Sequence, residues 1–360
     1  MQLLPDVSVV SKPALLDQPS DALHSWFGER GQPLLRVKQI RRRVLAGRAE
    51  SFEQMSDLPK EIRGELAEHF TPLGTHIERH LIASDDTHKL LLKLHDGRTI
   101  ECVLIQEAPR RTACISTQVG CGMGCVFCAS GINGVVRNLT TGEILEQLVR
   151  LRNLTPVDGR LSNIVVMGMG EPLANLDSLI EALEIAGHKD GLGIGARHIT
   201  ISTVGLPVKM RALADLGKQY HLAVSLHAPN DLLRTRIVPT NSKTGIDDIL
   251  AAADYFFEKT GRQVTYEYVL LGGLNDSPRE ARELATLLQG RKAHVNLIPF
   301  NKVEGLPYLS PGTDAQTVFI DTLRRAGISV KVRKRKGSEI DAACGQLRRQ
   351  VEQELAVAAI

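Results

Sequence analysis

From Thr112 onward the chain alternates short apolar strands with amphipathic helices, the pattern of an α/β fold built on a parallel sheet. Two other observations complete the expected architecture. Helical periodicity dominates from about Pro13 to Phe70, and the turn signal Asp96-Gly97, flanked by apolar runs, marks a β-hairpin between the two regions.

Taken in order, Ser20 and Asp21 precede a short amphipathic stretch. Val37, Ile40, Val44 and Leu45 then recur at helical spacing beside Arg36, Lys38, Arg41, Arg42, Arg43 and Arg48. Ser56, Asp57 and Pro59 open a further helix containing Ile62, Leu66 and Phe70, with the proline suited to a first turn. The hairpin strands run from Lys89 to Leu94 and from Thr99 to Gln106. Six strands are expected next: 113–116, 163–167, 198–202, 222–226, 264–270 and 295–298. Between and after them the helical patterns cover 142–152, 176–186, 208–216, 246–259, 279–289 and 315–326. Such a sheet is either doubly wound or curled toward a barrel, and periodicity does not choose between them.

Composition excludes several classes. The chain has 360 residues, of which 43% are hydrophobic and 24% charged, ordinary for a soluble globular protein and too apolar for disorder. Six cysteines are too sparse for a secreted disulfide scaffold, so a reducing compartment is expected. Met1 to Leu16 lacks a signal-peptide pattern, and no 18 apolar residues run together, so the expectation is a cytoplasmic protein without a membrane span. The net charge is only +3. Basic residues nevertheless gather in the Arg36–Arg48 segment and in the run Lys331, Arg333, Lys334, Arg335, Lys336, which points to contact with phosphates.

Cys121, Cys125 and Cys128 stand four and three residues apart in one glycine-rich loop. A structural zinc normally takes four protein ligands, so a triplet is a poor zinc cage. A [4Fe-4S] cluster held by three thiolates keeps one iron open for a substrate or cofactor. Glycines 120, 122 and 124 let the backbone wrap closely around such a group. Polar residues also recur at the expected strand ends: Gly170 and Glu171 in Met-Gly-Met-Gly-Glu-Pro, Ser202 and Thr203, Ser225, Leu226 and His227, and Asn301. One such end would be read as a helix cap; four at one edge point to a polar ligand. Three residues remain open. Cys114 and Cys344, each taken alone, read more readily as inert buried thiols than as reactive ones. Glu101 interrupts an apolar strand, on the face of Val103 and Ile105, either as a paired carboxylate or as a base.

The Cys-x3-Cys-x2-Cys motif resembles the signature of the radical S-adenosylmethionine superfamily. That resemblance implies an open six-stranded (β/α) partial barrel, with the cluster loop after the first strand and a small helical N-terminal domain and β-hairpin extension before it. The stretches around Cys121, Met167–Asn175, Ser225–Asp231, Asn296–Asn301 and Ile340–Leu347 resemble, more narrowly, the dual-specificity RNA adenosine C2 methyltransferase family. The resemblance implies Cys121, Cys125 and Cys128 as cluster ligands. It implies Gly170, Glu171, Ser202, Ser225, Leu226, His227 and Asn301 as the S-adenosyl-L-methionine site, Cys344 as methyl carrier, Cys114 as its resolving, disulfide-forming partner and Glu101 as general base.

By that resemblance one S-adenosylmethionine methylates Cys344, and a second yields a radical that activates the methyl group for addition to the adenine ring. The implied substrates are an adenosine of the peptidyl transferase centre in 23S rRNA and an adenosine of tRNA. An external electron donor such as flavodoxin is implied as well, and a monomer is expected. The implied parts are an RNA-binding accessory domain over 1–75, the hairpin extension over 76–110, the barrel over 111–335 and the carrier segment over 336–360. Lys302 stands where the family would have proline, and Ser202-Thr203-Val204-Gly205 lacks a frequent second serine. Adenosine C8 methyltransferases share the cysteines, but Pro172 and Pro299 look more like the C2 type. The reading from a different class is a non-catalytic, metal-containing RNA-binding protein.

Overall fold

A computed structural model describes residues 12–347. Residues 1–11 and 348–360, which the expected first and last parts include, lie outside the described residues.

Three helices come first: α1 (Ser20–Gly28), α2 (Leu35–Leu45) and α3 (Lys60–His69). Val37, Ile40, Val44 and Leu45 are all buried, as the helical spacing requires. Four antiparallel strands follow, β1 (His76–Ile82), β2 (His88–Lys93), β3 (Thr99–Glu107) and β4 (Arg110–Cys114). The expected hairpin is β2–β3, closed where Gly97 adopts φ +80° and Leu94 N–H bonds Arg98 O. The small ribbon β5 (Gln118–Gly120) and β6 (Val135–Asn138) brackets the cysteine loop.

The repeat then runs α4 (Thr141–Asn153), β7 (Asn163–Val166), α5 (Leu176–Gly187), β8 (Ile199–Thr203), α6 (Pro207–Asp215) and β9 (His221–Ser225). It continues with α7 (Asp231–Ile237), α8 (Ile246–Thr260), β10 (Val264–Leu270), α9 (Pro278–Leu288), β11 (Ala293–Pro299), α10 (Thr313–Arg325) and β12 (Ser329–Val332). Local chemistry sets these boundaries. Capping boxes start α4 (Thr140, Glu143) and α9 (Ser277, Glu280), Asn230 caps α7, and left-handed Gly261 ends α8.

All the larger strands join one sheet in the order β1-β2-β3-β4-β7-β8-β9-β10-β11-β12. From β4 onward every pairing is parallel and each new strand adds on the same side. A doubly wound sheet reverses its strand order; here right-handed crossovers put successive helices on one face and leave the other concave. The question that periodicity left open is therefore settled in favour of a partial barrel. Alternation does the rest: Tyr266 and Tyr268 pack toward the helices, whereas Thr265 and Glu267 line the hollow.

Three features went beyond the expectation. β12 adds a seventh parallel strand, and its sequence Ser-Val-Lys-Val carries too much charge to read as apolar. β1 is an almost wholly exposed edge strand, so no burial pattern marks it. β4 starts at two arginines, earlier than its apolar residues indicate.

The helical region rests on α4. Arg152 donates to the carbonyls of Val44 and Ala46, and Glu146 accepts the N–H groups of Gly74 and Thr75, both at 2.7 Å. Arg48 donates to Thr155 O and Pro156 O at 2.7 Å and to Gly159 O at 2.9 Å. Arg41 is committed to Ser20 and Gln18, and Arg43 to Asp57. Arg41, Arg43 and Arg48 of the first basic cluster thus also hold the fold. Replacing Arg48 by alanine is expected to cost about 2 kcal/mol in urea unfolding, because three carbonyls lose a charged donor, while Arg42→Ala should stay within about 0.5 kcal/mol.

Candidate active site

The site forms where the parallel strands end. After β4 the chain turns so that the Thr117 and Gln118 N–H groups meet Met169 O, which joins the β4 and β7 ends. The Gln118 side chain then accepts Glu171 N–H at 2.9 Å and donates to Asn138 on β6 at 2.8 Å. Gly170 sits here at φ +104°, and a Cβ on it would come within 2.8 Å of Gln118 backbone, so only glycine fits.

The loop between β5 and β6 carries Cys121, Cys125 and Cys128, anchored by Cys121 N–H to Gly134 O and Val126 N–H to Ile237 O, both 3.0 Å. All three sulfurs line one cavity of about 140 Å³ with Gly170, Glu171, Ser202, Ser225, His227, Asn301 and Cys344. Burial pushes the Cys121 thiol up to about 12 and raises those of Cys125 and Cys128. Among the described residues, no three His, Cys, Asp or Glu side chains converge tightly enough for a single metal ion. Three cysteines of one loop lining one cavity, with no fourth, suit a cluster better than a zinc knuckle. A second observation agrees: Asn301 Oδ1 is buried in the same cavity without a hydrogen-bond partner, as an acceptor awaiting a polar ligand would be.

Glu171 is a buried carboxylate whose oxygens accept Leu173 N–H at 3.0 Å and Val204 N–H at 2.9 Å. Burial raises its pKa, and these hydrogen bonds oppose the rise. Its visible work is to lock the β7 end to the β8 end. Ser202 and Ser225 face each other at 3.5 Å on β8 and β9. His227 has φ +60° and accepts Val269 N–H on Nδ1 at 3.1 Å, which leaves its proton on Nε2. The Phe127 ring meets it edge-on at 4.8 Å, tying the cysteine loop to β9. Leu226 is the exception. It lies outside the cavity lining, its side chain packs in the core, and its backbone N–H and C=O engage Glu267 and Arg234.

Cys344 is held by its neighbours. Its carbonyl accepts from Asn301 Nδ2 at 3.2 Å, and Gly345 O accepts Ala129 N–H at 2.7 Å. Leu347 O accepts the Ser130 hydroxyl at 2.8 Å, and Gln346 Nε2 donates to Lys302 O at 2.9 Å. On the other side the β1–β2 turn grips the same segment, with Ser84 bound to Glu339 and Asp85 to Gly337. Cys344 therefore also lines a second, larger cavity of about 760 Å³ on the concave sheet face, together with Cys114 and the whole run Lys331–Lys336. Burial pushes the Cys114 thiol up to about 12, with Cys344 adding to the rise. No disulfide joins the two. All six cysteines are free thiols, so the expected disulfide is not a feature of this structure.

Glu101 is brought to the cavity-facing side of β3, as alternation required, but neither cavity reaches it. It is 1% exposed and paired with Lys89 at 3.0 Å. Four contributors escaped the sequence reading. Gln118 and Glu267 looked like ordinary polar strand residues. Arg234 looked like the solvent face of a short helix; instead it is buried and donates to Leu226 O and Ser225 O, both 3.0 Å, and to Val204 O. Arg333 was counted only as one of a basic run, yet it lines both cavities and faces Cys344, Glu267 and Cys114.

A partial parallel barrel with a three-cysteine loop after its first strand and polar strand ends around it defines a radical S-adenosylmethionine enzyme. Two family models match accordingly: the radical SAM superfamily over residues 115–285, and the ribosomal RNA large subunit methyltransferase N-terminal domain over residues 14–71. The chain is 54% identical over 335 residues to a "probable dual-specificity RNA methyltransferase RlmN" of Rhodopirellula baltica, covering 93% of this chain and 90% of that one. A protein of the same description from Bacillus subtilis is 42% identical over 346 residues, 95% of each chain. A crystal structure of a radical SAM methyltransferase from Sphaerobacter thermophilus superposes with TM-score 0.90 at 41% identity, covering 94% of this chain and 100% of that one. The chain belongs to the RlmN family of dual-specificity RNA methyltransferases. S-adenosylmethionine and an iron–sulfur cluster follow from the superfamily. Among the described residues no helix is long and apolar enough to cross a membrane.

Burial, and then the nearby Arg234 cation, pushes the His227 imidazole down to about 3. A depressed value means that its stabilising contribution is complete above about pH 6.5 and is lost as pH falls toward the folded value. His227→Asn keeps an acceptor and tolerates positive φ. It should flatten the fall of stability on acidification in urea unfolding followed from neutral to acid pH; an unchanged fall would contradict a buried neutral imidazole.

Proposed function

We propose that this enzyme methylates C2 of adenosine in 23S rRNA, at the peptidyl transferase centre, and in tRNA, by way of a methylated Cys344. The observation that carries the reading is the position of Cys344 in the wall shared by the 140 Å³ cavity of the three cysteines and the 760 Å³ hollow of the sheet. A thiol there can receive a group from one side and deliver it to the other. A [4Fe-4S] cluster on Cys121, Cys125 and Cys128 and S-adenosylmethionine would supply the methyl group and the hydrogen-abstracting chemistry, with electrons from an external flavodoxin-type donor.

The chain's own residues then divide the work. Gly170, Glu171, Ser202, Ser225, His227 and Asn301 give the smaller cavity its polar contacts, and Leu226 acts only through the backbone it shares with Arg234. The Cys344 sulfur is the nucleophile that takes up the methyl group. The Arg333 guanidinium stands beside it in the wall of both cavities. The target adenosine leaves its stack to enter the larger cavity, at a cost of a few kcal/mol. Lys331, Lys334 and Lys336 stand on that cavity's wall as phosphate contacts. Glu101 accepts the C2 proton once the carrier segment shifts from above it. The odd electron left by the radical addition passes to the external redox partner. Cys114 attacks the Cys344 sulfur, and the carbon–sulfur bond breaks with its electron pair moving to the carbon, which takes up a proton to become the methyl group. Two electrons from the external donor, with two protons, restore both thiols.

This reading takes 1–75 as the RNA-binding accessory part, 76–110 as the hairpin extension, 111–335 as the barrel and 336–360 as the carrier segment, in a cytoplasmic monomer. The strands of the hairpin extension continue the barrel sheet and grip the carrier segment. The test is anaerobic turnover on ribosomal RNA and tRNA, with nuclease digestion and mass spectrometry of the nucleosides. 2-Methyladenosine from both RNAs is expected, lost by at least about a thousandfold in Cys344→Ala. 8-Methyladenosine instead would overturn the regiochemistry, and undiminished product from Cys344→Ala would overturn the carrier.

A further inference from the structure

Lys89 on β2 is 2% exposed, an unusual place for an ammonium group unless a partner holds it there. Its Nζ lies 3.0 Å from Glu101 Oε1 on the neighbouring strand and donates to the carbonyl of Asp341 at 3.2 Å. One side chain thus joins the carboxylate read above as the proton acceptor to the segment that carries Cys344, three residues beyond Asp341. The surroundings explain why a cation is needed. Cys114, opposite Val103 on β4, shares the Glu101 face of the sheet. Cys102 lies on the opposite face, with Arg150 of α4 acting on it from behind. Met169 sulfur accepts the Glu101 N–H, and the Asp341 end of the carrier segment closes over Lys89.

A carboxylate buried among apolar and sulfur groups without a cation escapes the desolvation cost by taking up a proton. An acid already protonated accepts nothing from C2. We infer that Lys89 is a positioning residue that keeps Glu101 ionised for proton abstraction and couples it to the Cys344 segment. In the step it serves, the adenine C2–H bond breaks, an O–H bond forms on Glu101, and the electron pair stays on the base. The inference rests on the reading of Glu101 as the base.

The test compares wild type with Lys89→Met, Lys89→Arg and Glu101→Gln as reconstituted holoenzyme on RNA. Product formation is followed against pH, and protein-bound RNA is followed on denaturing gels. Lys89→Met should slow product release at least about tenfold at neutral pH, accumulate the covalent RNA–protein species, and regain rate as pH rises by a unit or more. Lys89→Arg should keep the wild-type pH profile. A uniform fall in rate with no movement of the profile overturns the inference, since a merely structural role would do that. If Glu101→Gln turns over normally, the base reading itself fails; if it stalls while Lys89→Met keeps the wild-type profile, only the role of Lys89 fails. A second measurement is independent of turnover: infrared difference spectra of the apoprotein, taken against the matching Glu101→Gln forms. A protonated carboxyl band is expected for Lys89→Met and not for wild type. Its absence from Lys89→Met overturns the inference whether or not that variant is active.

Discussion

The segment that bears Cys344 is held on three sides at once, and the rest of the site is arranged around that constraint. Asn301 at the end of β11, the backbone of Ala129 in the cysteine loop and the β1–β2 turn each take up a polar group of residues 337–345. A segment whose own regular structure is one short 3-10 turn, Ser338–Ile340, leaves most of its backbone groups without partners unless neighbours supply them. Here each neighbour is also part of the site. Holding the segment therefore fixes the Cys344 sulfur relative to the three-cysteine loop, the strand ends and the hollow.

The same economy operates at the strand ends. Short parallel strands present unpaired carbonyls and N–H groups where they stop, and burial makes each one costly. Glu171 satisfies two such N–H groups, and Arg234 satisfies carbonyls from the ends of both β8 and β9. Both charged groups are almost wholly buried, and both are committed to backbone rather than to a counter-ion. The consequence is a rigid polar rim whose remaining free atoms, such as Asn301 Oδ1, face the cavity. Pre-formed polar sites of this kind lose little entropy when a ligand arrives.

Part of this was legible in the chain. The cysteine spacing, the Asp96-Gly97 turn and the strand–helix alternation are local signals, and local signals survive translation into structure. The choice between a doubly wound sheet and a barrel was not, because it depends on strand order, which no periodicity encodes. β1 and β12 were missed for a related reason: edge strands are half exposed and carry charges that mask the alternation. The two basic runs looked alike in composition, yet the fold ties Arg41, Arg43 and Arg48 of the first to neighbouring protein groups and lines the large hollow with the second. Arg234 and Lys89 were invisible because a buried cation betrays itself only through its partners, which lie far off in sequence or on another strand. Glu101 was placed correctly on its face by alternation, but its pairing with Lys89 depends on hairpin register.

The central claim is that a carbon reaches RNA only after passing through the Cys344 sulfur. It is tested most directly by supplying S-adenosylmethionine with an isotopically labelled methyl group and following the Cys344 peptide and the RNA nucleosides by mass spectrometry through one turnover. The account predicts label on Cys344 first, then its decay as label appears in 2-methyladenosine. Labelled 2-methyladenosine formed while Cys344 never carries the label would contradict it.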